Sequence, residues 1–181
     1  MLTRKQFRRL IYKSWRRPQE VFISRLYKTY LSLCNGQDNI VLGYGSLLNE
    51  KSARRSLTYA EDLGFDYLYG YRRVFNMGSV NSGFLNIEPS SDRIVVRKWN
   101  IVDHRDLAEY VIREANYNIK KVNDKIYCVC NYSWGNDIKP GLNYLATCLE
   151  ELEGEFRENF LQTTYNADGE LTANYVKRLF T

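Results

Sequence analysis

Apolar positions along the 181-residue chain follow two spacings, one helical and one extended, and the change between them predicts where the elements lie. Over residues 1–33 they fall three and four apart, as Phe7, Leu10, Ile11 and Trp15, then Val21, Phe22, Leu26, Tyr30 and Leu33. This is a helical period, and Pro18 interrupts it, because proline brings no N–H to a helix interior. Two short helices are predicted rather than one. Asn35-Gly36-Gln37-Asp38-Asn39 follows as a turn-rich linker, so residues 1–36 read as an N-terminal extension and residues 37–181 as the main domain.

From Ile40 the spacing changes to short apolar runs bounded by turn residues. Ile40–Tyr44, Phe65–Asn76, Phe84–Glu88, Arg93–Val102 and Lys125–Tyr132 are predicted as strands. Glu50–Leu57 and Asp106–Glu114 are predicted as helices among them. Near the end, Leu142, Leu145, Leu149, Leu152, Phe156 and Phe160 recur three and four apart, which predicts one long helix beginning near Pro140. Mixed helices and strands in this order indicate an α+β fold.

Composition excludes several classes. The chain is 44% hydrophobic and 26% charged, ordinary for a globular domain. Its longest apolar runs, such as Ile94-Val95-Val96, are too short to span a bilayer, and Met1-Leu2-Thr3-Arg4-Lys5 lacks the apolar stretch of a secretory signal. A cytoplasmic protein without membrane contact is expected. Cys34, Cys128, Cys130 and Cys148 are scattered and there is a single histidine, His104, so all four cysteines are expected as reduced thiols and no metal site is indicated.

The net charge of +5 is unevenly spread. Arg4, Lys5, Arg8, Arg9, Lys13, Arg16, Arg17, Arg25 and Lys28 face only Glu20 within the first thirty residues. Such a cluster fits a solvated helix face, a nucleic acid or an acidic protein partner contacted through residues 4–28.

Two places could carry chemistry. Gly43-Tyr44-Gly45-Ser46-Leu47-Leu48-Asn49 leaves a predicted strand and enters a predicted helix, with Asn49 suited to cap it. Gly45 permits close backbone approach, and N–H groups converging there could bind a carboxylate or a developing oxyanion. The turn lacks both the lysine of a phosphate-binding loop and the three-glycine spacing of a dinucleotide site. Glu114 lies seven residues after Leu107 and three after Val111, on their apolar face. An inward carboxylate would be a stronger base near neutrality; one that turns outward at the helix end would make a surface pair with Arg113 or Lys120. The spacing alone serves both readings. A serine nucleophile formed by Ser46 with His104 is disfavoured, since no GxSxG elbow is present.

These segments, taken in order, resemble the γ-glutamylcyclotransferase-like family, including its glutathione-degrading branch. Gly43-Tyr44-Gly45-Ser46-Leu47 is similar to the family's YGSL/YGSN loop, and Gly70-Tyr71-Arg72-Arg73-Val74-Phe75 to the GYRR-x-F segment. Asp106-Leu107-Ala108 leading to Arg113-Glu114-Ala115-Asn116-Tyr117 resembles the segment that carries the catalytic glutamate, and Pro140 through Thr164 resembles the last helix. The resemblance covers roughly residues 39–165. The strand Val95-Val96-Arg97-Lys98-Trp99 departs from it, holding bulkier, basic residues where the family places a glycine, and a reshaped pocket wall is expected there.

The resemblance implies a small closed or nearly closed β-barrel flanked by helices, with the pocket at its mouth and the basic extension packed outside. It implies an enzyme that needs no cofactor and acts on a small γ-glutamyl peptide or γ-glutamylamine, releasing 5-oxoproline. Glu114 would be the general base, Tyr44, Gly45, Ser46 and Leu47 would hold the substrate, and Tyr117 would orient the Glu114 carboxylate. The alternative is a non-catalytic binding module on the same scaffold, directed to nucleic acid or a protein by the basic arm.

Overall fold

The computed structural model describes residues 1–34, 39–122, 125–129, 133–179 and 181. Two N-terminal helices, α1 (Arg4–Ser14) and α2 (Glu20–Cys34), are separated at Pro18 as the spacing predicts. Thr3 caps α1 in a reciprocal box with Gln6, and Phe7, Leu10 and Ile11 form its buried face. Ile23, Leu26 and Tyr30 of α2 are buried beside them, in the same apolar core as the rest of the chain.

β1 (Ile40–Gly43) leads through a 3-10 turn at Ser46–Leu48 into a single-turn helix α3 (Glu50–Ala53). Asn49 caps that turn, its side chain accepting from the Ser52 N–H at 2.7 Å. Two 19-residue strands, β2 (Glu61–Ser79) and β3 (Ser82–Asn100), then form one long antiparallel hairpin. The three separate strands predicted between Phe65 and Val102 are thus two continuous ones. Register shifts between Asp62 and Phe65, Tyr69 and Tyr71, and Phe75 and Met77 let the hairpin bend without ending it. Helix α4 (His104–Arg113), β4 (Asn118–Val122) and β5 (Lys125–Val129) follow. Then come α5 (Leu142–Leu149), α6 (Gly154–Gln162), β6 (Thr164–Asn166) and α7 (Thr172–Leu179).

The sheet has six strands in the order β4-β5-β1-β3-β2-β6. It is mixed, with β1 parallel to β5 and β6 parallel to β2, and the remaining ladders antiparallel. The expected barrel is therefore corrected to an open sheet. Its edges are the five-residue β4 and the three-residue β6, and among the described residues no ladder joins them.

The predicted long C-terminal helix is also corrected, to α5 and α6 with a break at residues 150–153. Tertiary bonds account for the break. Glu150 accepts from the Asn49 amide at 2.8 Å, Glu151 accepts from the Glu50 N–H at 2.7 Å, and Glu151 also pairs with Arg97. Both carboxylates are drawn to the segment after β1, and Gly154, at φ 47°, restarts the helix in a conformation other residues resist.

Among the described residues Cys34 and Cys148 are free thiols; the Cys128 side chain and Cys130 lie outside them. No helix among the described residues is long and apolar enough to cross a membrane.

Candidate functional site

The loop after β1 is fixed from beneath by buried side chains of the hairpin. The fully buried Arg73 donates from Nε to the Tyr44 carbonyl at 2.8 Å, Trp99 donates to the Leu47 carbonyl at 3.0 Å, and Arg97 donates to the Leu48 carbonyl at 3.0 Å. With three carbonyls held on the hairpin side, the loop is a preorganised backbone surface. Arg73 also bonds the Val95 carbonyl and the Thr163 hydroxyl and stacks on Phe160, its centroid 4.5 Å away. Burial pulls its guanidinium down from the usual range to about 9, which still leaves it charged at neutral pH.

Gly45 is required by a close approach. A Cβ on it would lie 2.4 Å from the Tyr144 hydroxyl. That hydroxyl accepts from the Ser46 N–H at 3.4 Å, a long and weak bond. Desolvation first, then the nearby Cys148 and Glu114, push the Tyr144 phenol well above its ordinary range, so it stays protonated at neutral pH.

Two of the donors at the start of α3 are engaged within the protein. The helix has only four residues, the Glu50 N–H goes to Glu151 and the Ser52 N–H to Asn49.

Glu114 closes the C-terminal end of α4, with φ −92° and ψ 22°. Its side chain is 13% exposed and pairs with the Nε of Arg113, itself 20% exposed, at 3.5 Å. Both sequence readings are partly met, since the carboxylate lies inward and yet pairs with Arg113. The other donors of Arg113 reach across to the loop and α3: Nη2 to the Ser46 hydroxyl at 2.8 Å, and Nη1 to the Ser52 carbonyl at 2.8 Å and the Ser56 hydroxyl at 3.1 Å. The Ser46 hydroxyl is thus bonded by an arginine, while His104, at the other end of α4, meets Cys34 with Nδ1 to Sγ 3.7 Å. No serine–histidine pair is formed.

Tyr44, Gly45, Ser46, Leu47, Glu114 and Tyr117 all line one cavity of about 440 Å³. Tyr117 lies in the same lining, and its hydroxyl donates to the Leu85 carbonyl on β3 at 2.8 Å. Residues 95–99 are not themselves in the cavity lining; Trp99 reaches it through the Leu47 carbonyl, and Arg97 holds the adjoining Leu48 carbonyl and also meets Asp62, Glu50 and Glu151.

Among the lining residues that sequence reasoning did not assign to the site, four besides Arg113 bring aromatic or charged surface. Tyr144 is carried by α5, Phe84 (44% exposed) and Trp134 (54% exposed) contribute aromatic surface, and Arg55 adds a cation that, among the described residues, has no ion pair or hydrogen bond. Phe84 meets Tyr144 edge-on at 5.1 Å, and the Trp134 N–H is anchored on the Asn76 carbonyl at 2.8 Å. Only Tyr144 carried a signal, a polar tip at position 144 on an otherwise apolar helix face.

No protein-family model and no curated protein sequence matches the chain. Among solved structures, the crystal structure of YkqA from Bacillus subtilis aligns with a TM-score of 0.58 at 14% identity, over 74% of this chain and 56% of that one. The chain thus spans little more than half the length of YkqA. The likeness shows the fold alone, and it is in keeping with the γ-glutamylcyclotransferase-like fold that the sequence motifs imply.

Proposed function

We propose that the chain is a γ-glutamylcyclotransferase that releases 5-oxoproline from a small γ-glutamyl compound, with Glu114 as general base. The observation that carries this reading is that one cavity holds an inward carboxylate and a fixed backbone turn, bridged by Arg113. A cavity of about 440 Å³ suits a molecule of dipeptide size.

Glu114 takes a proton from the α-ammonium group of the substrate. The freed amine attacks the γ-carbonyl carbon, forming the lactam C–N bond, and the amide C–N bond to the departing amine breaks as that nitrogen takes the proton from Glu114. The second proton shed by the lactam nitrogen passes through Glu114 to the departed amine, which leaves as its ammonium. Atoms balance without water. The Ser46 N–H, leaving its weak bond to Tyr144 for a stronger acceptor, and the Gly45 N–H meet the substrate's negative oxygen. Because ring closure is intramolecular, most of the acceleration comes from holding the γ-glutamyl chain folded, which a turn with its carbonyls pinned to Arg73, Trp99 and Arg97 is built to do.

The test is 5-oxoproline release from glutathione, γ-glutamyl dipeptides and γ-glutamylamines, with Glu114→Gln in parallel. Turnover of at least one class, lost by roughly 10²-fold or more in the variant at unchanged thermal stability, is expected. A folded wild-type protein that releases none would overturn the reading.

A further inference from the structure

The helical hairpin at the N-terminus has a polarity that the cavity chemistry leaves unused. α1 turns Phe7, Leu10 and Ile11 into the core, so its opposite side faces solvent. Exposed there are Lys5, Arg9 and Lys13, four residues apart and therefore stacked along one stripe at steps of about 6 Å. Arg16 and Arg17 extend the stripe into the turn before α2. Arg17 sits at φ 71°, where glycine is at ease and arginine is not, so the tip of the turn carries charge in place of the easier residue.

Compensation is slight. Glu20 takes up Arg4 and Arg8, Arg25 donates to the Ala115 carbonyl at 2.7 Å, and Lys13 feels Glu109 across the α1–α4 contact. Among the described residues Lys5, Arg9, Arg16, Arg17 and Lys28 make no ion pair or hydrogen bond. The rest of the chain holds more acidic than basic side chains, so the positive field is confined to this hairpin.

We propose that the hairpin face formed by Lys5, Arg9, Lys13, Arg16 and Arg17 docks on the phosphodiester backbone of a nucleic acid, independently of base sequence. A row of cations this long matches an extended polyanion rather than a small anion, and duplex DNA presents one negative charge per roughly 1.7 Å. A bilayer surface fits less well, because the apolar face of α1 that would insert is already buried in the protein. An acidic protein partner also fits less well, since the hairpin offers as exposed anchors only Tyr12, whose hydroxyl and ring are engaged by Arg8, and Val21, too few for the buried cluster on which protein interfaces depend.

The experiment is fluorescence anisotropy of labelled RNA and DNA oligonucleotides of about 20 nucleotides, with the full chain, from roughly 50 to 200 mM salt. Binding in the micromolar range at the low end is expected, with log K falling against log salt at a slope of roughly −3 to −5. The combined variant Lys5→Gln, Arg9→Gln, Lys13→Gln and Arg16→Gln should lose at least tenfold in affinity and much of the slope. A set with Lys5→Arg and Lys13→Arg should keep both. Circular dichroism checks that each variant is folded, and any 5-oxoproline release should be unchanged. Absence of binding at low salt, binding that survives the neutralised set, or preference for phosphatidylserine vesicles over the oligonucleotides would overturn the proposal.

Discussion

Arg113 donates to the Ser46 hydroxyl at 2.8 Å while its Nε pairs with the Glu114 carboxylate at 3.5 Å, so one side chain ties the end of α4 to the turn after β1. A lysine cannot reproduce that fork, because its ammonium is a point charge without fixed donor directions. Arg113→Lys should lower kcat/KM for 5-oxoproline release by roughly 10- to 100-fold, the scale of an ångström of misplacement, with kcat affected more than KM. Steady-state kinetics beside a thermal melt check this. A variant as active as the wild type would remove Arg113 from the positioning of Glu114.

Gly45 and Tyr144 make a second coupled pair. A methyl group at position 45 would lie 2.4 Å from the Tyr144 hydroxyl, and that ring is hemmed by Phe75 and Phe84, both edge-on, at 6.2 and 5.1 Å. Gly45→Ala should therefore cost roughly 1–3 kcal/mol, in the range for overpacking. Adding Tyr144→Phe removes the clashing oxygen and should recover part of that loss in urea unfolding. Additive losses in the double variant would show that the hydroxyl is not the obstacle.

Local rules carried the sequence reading where they acted alone. Pro18 divided α1 from α2, and Asn49 capped α3, because each effect is confined to one turn of chain. The loop and Glu114 could be singled out because glycine in a strand-to-helix turn and a carboxylate on an apolar face are anomalies visible in the chain itself. Illegible were features set by partners far away in sequence. The apolar stripe from Leu142 to Phe160 has helical period throughout, yet Glu150 and Glu151 leave the helix for Asn49, Glu50 and Arg97. Nothing local marks Arg73 as a buried brace rather than a surface charge, and the family segment that contains it says nothing of what its guanidinium touches. Sheet closure depends on the edge strands β4 and β6, whose short lengths no periodicity displayed.

Arg55 lines the cavity with, among the described residues, no protein partner, whereas the donors of Arg113 are engaged by Ser46, Ser52, Ser56 and Glu114. It is therefore the cation left to meet a negative group beyond the scissile amide. Arg55→Gln should raise KM roughly five- to tenfold, about 1–1.4 kcal/mol, for γ-glutamyl dipeptides that end in a carboxylate. It should leave γ-glutamylalkylamines of similar size nearly unchanged. Equal losses on both would assign Arg55 to the α-carboxylate of the γ-glutamyl group instead.

The Arg97 guanidinium is 8% exposed and donates from Nε to Asp62 at 3.1 Å, while also pairing with Glu151 and Glu50. Those hydrogen bonds hold the Asp62 carboxyl below the usual carboxylate range, against the opposing pull of burial. A folded value below the unfolded one means that the contribution to stability is fully present above the ordinary range near 4, and is lost as pH falls through the folded value. Asp62→Asn should then destabilise the protein at pH 7 by roughly 1–3 kcal/mol, as expected for removing one partner of a charged hydrogen bond. The gap between the two proteins should close as pH falls from about 5 to 2, because a protonated aspartic acid and an asparagine meet Arg97 alike. Urea unfolding at steps of pH measures it. A gap that stays constant down to the acid limit would mean that Asp62 stabilises the hairpin through packing and backbone contacts, such as its bond from the Gly64 N–H at 2.9 Å, and not through its charge.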